Sequence, residues 1–180
     1  MTGTILLVED EANDAILMQW AGARAGVVNP IQVASDGREA IDYLKGTGRF
    51  ANREQFPLPC LVLLDLKLPF VMGLDVLEWI RQQPELAPIV IVLSSSAAEA
   101  DIAAAYRLGA NGYLVKPSEA SRLVEMAKAI KDFWLTPDAT PANSRGFMES
   151  NHAPFLRSSP LAQQQMTSPD SPVCEREERE

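Results

Sequence analysis

Five short strand-like stretches, three of them wholly apolar and each followed by a stretch with helical spacing, constrain this sequence more than any other feature. The runs are Ile5 to Val8, Ile31 to Ala34, Leu61 to Leu64, Ile89 to Leu93 and Gly112 to Val115. The first, third and fourth, wholly apolar, read as strands buried on both faces, and the second and fifth as further short strands. After the first, Ile16, Leu17, Trp20 and Ala23 fall at helical spacing, with Gly26 as the stop. Ser35 or Asp36 can cap the second helix, Glu39 can complete a capping box around Asp36, and Ala40, Ile41 and Leu44 form its apolar stripe. The third helix runs from Leu74 to Gln83 on Leu74, Leu77 and Ile80 and ends at Pro84. The fourth spans Ala97 to Leu108 before Gly109. Ser118 caps the last, which reaches about Trp134 and buries Leu123, Ala127, Ile130 and Trp134. Gly46 to Pro59 reads as a long irregular surface loop. Because each strand-helix-strand crossover is right-handed and must cover a face of the sheet, the alternation predicts an α/β fold: a doubly wound parallel sheet with helices on both sides.

In such a sheet the carboxyl ends of all strands meet at one edge, where open parallel sheets bind their ligands. The first run ends at Glu9-Asp10, the third at Asp65, the fourth at Ser94 and the fifth at Lys116. Three carboxylates gathered there repel, at a cost of about 3 kcal/mol for a pair ~6 Å apart at an effective dielectric of ~20. A divalent, oxygen-seeking cation relieves that repulsion, and a shallow site with few carboxylates suits Mg²⁺, which keeps several waters and takes phosphate oxygens as ligands. Lys116 adds a compact positive charge and Ser94 a hydroxyl. Carboxylate, cation, ammonium and hydroxyl around one point are what in-line phosphoryl transfer to Asp65 needs.

Charge and composition narrow the alternatives. The 180 residues carry a net charge of −8 with no basic cluster, which argues against nucleic-acid or anionic-membrane binding. No segment is long enough to span a bilayer, and the start lacks a signal-peptide pattern. Two cysteines, Cys60 and Cys174, form neither a disulfide framework nor a metal spacing, in keeping with a cytoplasmic protein. The expected organisation is one domain over residues 1–136 and a Pro-, Ser- and Gln-rich acidic tail over 137–180 with too few apolar residues to fold alone. His152 in that tail reads as a solvated residue.

The ordered set Glu9-Asp10, Asp65 within Leu-Leu-Asp-Leu-Lys-Leu-Pro, Gly73, Ser94, Tyr113 and Lys116-Pro117 resembles the CheY-like receiver domains of two-component response regulators, over residues 4 to about 134. The resemblance implies the flavodoxin-like receiver fold, five strands in the order 2-1-3-4-5 with five helices. It implies a phosphoacceptor, not a turnover enzyme: Asp65 takes a phosphoryl group from a sensor histidine kinase and loses it slowly by self-dephosphorylation. Mg²⁺ would be held by Glu9, Asp10, Asp65 and the backbone carbonyl of Lys67. Ser94 would move onto the phosphoryl group, Tyr113 would swing inward as a switch, and Lys116 would pair with the group across a cis Lys116-Pro117 bond. The loop up to Pro59, the Leu-Leu-Asp-Leu-x-Leu-Pro string and Val-Leu-Ser-Ser-Ser are similar to the single-domain regulators of bacterial phytochrome-type kinases, except that Lys67 stands where that subgroup has Asn.

Two other functions fit parts of the pattern. A Mg²⁺-dependent phosphohydrolase of the haloacid-dehalogenase type also uses a strand-end Asp, but needs a second Asp where Lys67 stands. A phosphorylation-independent interaction module would use the helix faces or the tail. The apolar surplus of the last helix (Leu123, Val124, Met126, Ala127, Ile130, Phe133, Trp134) suggests a homodimer through the last two helices, or cover by the tail. Phe70-Val71-Met72, beside Asp65, reads equally as a partner-docking patch or as a segment folded onto the third helix. With no output domain legible, signalling would run through contacts with other proteins.

Overall fold

The computed structural model of the chain describes residues 3–135; the tail over 137–180, with His152 and Cys174, lies outside the described residues. The strands are β1 (Thr4–Val8), β2 (Ile31–Ala34), β3 (Pro59–Leu64), β4 (Ile89–Ser94) and β5 (Gly112–Val115). The helices are α1 (Ala12–Arg24), α2 (Gly37–Lys45), α3 (Gly73–Arg81), α4 (Glu99–Arg107) and α5 (Ala120–Ile130), the last continued by a π-helical turn over Lys131–Leu135. All pairings are parallel, in the order β2-β1-β3-β4-β5.

Alternation along each strand sorts the core into two sides. Ile5, Leu7, Leu61, Leu63, Ile91 and Leu93 face α1 and α5 and meet Met18, Met126 and Ile130. Leu6, Val8, Val62, Leu64 and Val90 face α2 and α3 and meet Tyr43, Leu44, Leu77 and Ile80. Under α4, Val92 and Tyr113 pack with Leu66, Ile102 and Ala105.

On α1 the buried face is Ala15, Met18, Ala21 and Gly22. Ile16, Leu17 and Trp20, expected inside, are 62%, 45% and 43% exposed, and Ala23 is exposed too. Small residues let the helix lie close to the sheet, with the Cβ position of Gly22 only 3.4 Å from Ile31, so the bulky stripe turns outward. On α5 the apolar surplus is largely consumed: Leu123, Met126, Ala127 and Ile130 are buried, while Trp134 is half-buried over Gly112.

Ends and loops show further differences. Asp36 caps α2 through the Glu39 N–H at 2.8 Å, but Glu39 returns its bond to the Ser35 N–H at 2.6 Å instead of to Asp36. Ser118 does not cap α5: Glu119 is the N-cap residue and makes no side-chain cap bond, because Ser118 lies one residue too early to reach the first free N–H groups. The Gly46 to Pro59 connection is packed, with a 3-10 turn at Gly48–Phe50 and Tyr43, Phe50 and Phe56 in mutual edge or tilted contact at 5.1 to 6.1 Å. The Arg53 guanidinium donates to the Tyr43, Leu44 and Phe56 carbonyls, satisfying the open end of α2.

Candidate functional site

The edge at the carboxyl ends of β1, β3, β4 and β5 holds the candidate residues. Glu9 and Asp65 are buried and Asp10 is exposed, yet one carboxylate oxygen from each lies within 4.8 Å of the others. Asp65 Oδ1 accepts the Leu66 N–H at 2.6 Å and the Lys67 N–H at 3.3 Å, which aims Oδ2 into the crevice. There Lys116 Nζ donates to Asp65 Oδ2 at 2.7 Å and to Glu9 Oε2 at 2.5 Å. The Lys67 side chain is exposed.

Electrostatics follow from this crowding. Burial pushes the Glu9 carboxyl up; hydrogen bonding and attraction from Lys116 oppose it, and the charges of Asp65 and Asp14 push it further up. Burial acts to lower Lys116, but hydrogen bonds and Coulombic attraction from Asp65 and Glu9 outweigh it, so the ammonium is held well above the ordinary lysine range. The lysine is therefore a fixed positive charge, and the oxygen set around it, two buried carboxylates and one exposed, fits a small divalent cation that retains part of its water.

The loop after β3 is tied down by the Gly73 N–H, which donates to the Leu66 carbonyl at 3.0 Å. A Cβ at Gly73 would stand 2.0 Å from the Asp65 carbonyl oxygen. Gly73→Ala is thus expected to cost about 3 kcal/mol in urea unfolding, at the upper end for overpacking, because the clash is with backbone; an unchanged midpoint would contradict that close approach. The same loop divides the Phe70-Val71-Met72 triplet. Val71 packs against the α2 and α3 side of the core, whereas Phe70 and Met72 are exposed, and Phe70 sits at φ 66 beneath the Arg38 guanidinium, 4.6 Å from its ring centre.

Ser94, the last residue of β4, is fully buried and accepts the Ser96 N–H at 3.3 Å. Tyr113 is already inward: its side chain is buried and its hydroxyl donates to the Ser96 carbonyl at 2.9 Å. Ser96 also donates to Asp101 in the first turn of α4 at 2.5 Å, so one short loop joins the site to that helix. The Lys116-Pro117 bond, expected cis, is trans, as are all peptide bonds among the described residues. The trans form is the ordinary ground state of an X-Pro bond, by roughly 0.5–1 kcal/mol, and in it Lys116 reaches its carboxylates while its N–H bonds the Ser94 carbonyl at 2.9 Å. Sequence reasoning missed Asp14, whose Oδ2 lies 3.3 Å from Lys116 Nζ. Asp14 lies in the first turn of α1, whereas Asp10 precedes that helix, so no spacing within one element ties the two together.

A doubly wound sheet in the order 2-1-3-4-5, with carboxylates and a lysine gathered at its carboxyl edge, defines a receiver-type α/β domain. Residues 5–128 match the response regulator receiver domain, and the chain belongs to that family. The response regulator Rcp1 of Synechocystis sp. is 38% identical over 139 residues, covering 77% of this chain and 92% of Rcp1. Among solved structures, the phosphorylated cyanobacterial phytochrome response regulator RcpA is 39% identical with a TM-score of 0.70, covering 77% of this chain and 98% of RcpA. The Mn²⁺-bound form of Rcp1 is 36% identical with a TM-score of 0.68, covering 77% of this chain and 99% of that one. The chain is thus a receiver domain homologous to single-domain phytochrome response regulators.

Proposed function

We propose that Asp65 accepts a phosphoryl group from a phosphohistidine of a sensor histidine kinase, of phytochrome type as for the relatives, and that the phosphorylated chain signals through protein contacts. The observation that carries this reading is the Lys116 ammonium bridging Glu9 and Asp65, a counter-charge aimed at the oxygen that would attack. Asp65 Oδ2 attacks phosphorus in line, the P–N bond breaks, and its electron pair returns to the imidazole, which takes up a proton. Lys116 then pairs with the new phosphoryl oxygens and the Ser94 hydroxyl donates to one of them. Glu9, Asp10, Asp65 and the Lys67 carbonyl would hold Mg²⁺, which would supply neutralisation of the transferring group's charge. Slow hydrolysis of the acyl phosphate resets the chain, with the exposed Lys67 ammonium beside it. Phosphorylation is read out through Ser94, Ser96 and Tyr113 onto α4, whose first turn Ser96 already touches. Because most of the apolar surplus of α5 is buried, homodimerisation through the last two helices would have to use the outer, more polar surface of α4 and α5. Among the described residues no helix is long and apolar enough to cross a membrane.

The test is incubation of the full chain with Mg²⁺ and a small acyl phosphate. One phosphoryl group per chain, mapped by mass to Asp65, is expected; turnover of unrelated phosphomonoesters would favour a phosphohydrolase instead. The exposed stripe Ile16, Leu17 and Trp20 is proposed as the kinase-docking face. Leu17 lines a cavity of about 60 Å³ that Glu9, Asp14 and Lys116 also line, so a partner seated on α1 borders the Glu9 and Lys116 side of the site. If Trp20 is a contact hot spot worth ~2 kcal/mol, Trp20→Ala slows transfer from the kinase roughly 30-fold. Labelling by the small acyl phosphate stays unchanged, and equal slowing with both donors would place the defect in the site.

A further inference from the structure

An ammonium has three N–H donors, and Lys116 directs them at three carboxylates: Glu9 at 2.5 Å, Asp65 at 2.7 Å and Asp14 at 3.3 Å. The first two also belong to the oxygen set that can hold a divalent cation; Asp14 does not. A cation bound by Glu9 and Asp65 repels an ammonium on the same two groups, so the Lys116 bond to Glu9 has to give way. Asp14 stands outside that set, on the first turn of α1, with its side chain 46% exposed. We propose that Asp14 is a positioning residue for Lys116, an outer anchor that keeps the ammonium beside Asp65 while Glu9 is engaged by a divalent cation. The simpler role, an acid that favours a helix N-terminus, would be shared by Glu11, the N-cap residue of the same helix, whose side chain makes no ion pair with Lys116.

This inference rests on the proposed site but not on phosphorylation, so it is read by Mn²⁺ affinity alone, measured by calorimetry on the full chain. Asp14→Asn is expected to weaken Mn²⁺ binding about fivefold, in the range of coupled charged neighbours. Asp14→Glu restores it to within about twofold, and Glu11→Gln changes it by less than about twofold. In a Lys116→Met background the effect of Asp14→Asn falls below about twofold, because the anchored group is gone. Equal losses from Asp14→Asn and Glu11→Gln, or the same loss with and without Lys116, would overturn the anchor role in favour of bulk charge. Asp14 is partly exposed on α1 and Glu11 is exposed just before it, so the comparison between them stands even if Lys116→Met folds poorly.

Discussion

Asp65→Asn is expected to remove all phosphoryl incorporation while leaving the fold in place. The amide keeps the size of the carboxylate and can keep one acceptor for the Leu66 N–H, now bound at 2.6 Å. What it loses is the nucleophile. A carboxylate accepts on both oxygens, and here Oδ1 serves the loop while Oδ2 faces Lys116; an amide can accept on one side only. Two opposing terms set the stability. Losing the Lys116 partner destabilises, but removing one of three acids whose oxygens lie within 4.8 Å relieves repulsion of about 3 kcal/mol per pair at an effective dielectric of ~20. The net change in urea unfolding is therefore expected within about 1 kcal/mol, the usual residue when large terms cancel. Mass spectrometry of wild type and variant after acyl phosphate treatment is the measurement. Labelling of Asp65→Asn to the wild-type level, mapped to another residue, would remove Asp65 from its proposed role.

The parts of this molecule that could be read from sequence are those set by local pattern. Ile5 to Val8, Leu61 to Leu64 and Ile89 to Leu93 read as buried strands because no alternate residue is polar, and the residue at the end of each had to lie at one edge once the sheet was parallel. Hence Glu9, Asp10, Asp65, Ser94 and Lys116 could be gathered before any coordinates. The parts misread depend on partners distant in sequence. Ile16, Leu17 and Trp20 form as good a helical stripe as any, but Ala15, Ala21 and Gly22 fit closer to the sheet, and only contact with Val27 and Ile31 decides between the stripes. The 46 to 59 segment reads as irregular because its order comes from Phe50 and Phe56 meeting Tyr43 of the preceding helix. Asp14 stands in the first turn of α1 and not at a strand end, so its approach to Lys116 depends on how that helix packs on the sheet.

Lys116→Met is expected to destabilise the chain by about 3–5 kcal/mol near pH 7, because it leaves the Glu9 and Asp65 charges buried without their counter-ion. The pH dependence separates this cause from lost packing. Lys116 is raised in the folded state, so its contribution is fully present below the unfolded lysine value of ~10.4 and is lost only above its own higher folded value. Across pH 5 to 8 the lysine term in wild type is therefore flat. Glu9 is also raised, which for a carboxyl means that ionisation costs stability: the cost is absent below the unfolded value and grows as pH rises through the folded one. Without Lys116, the influences that lower Glu9 disappear and its folded value climbs further, so the variant can take up a proton on Glu9 in mild acid. The gap between wild type and Lys116→Met in urea unfolding is then widest at pH 7 to 8 and narrows toward pH 5. Metal should act in the same direction as acid, since a divalent cation on Glu9 and Asp65 replaces the missing positive charge and binds the folded state alone. A gap of constant size across that pH range, unmoved by Mg²⁺, would mean that Lys116 stabilises through its aliphatic stem against the α1 and α5 side of the core.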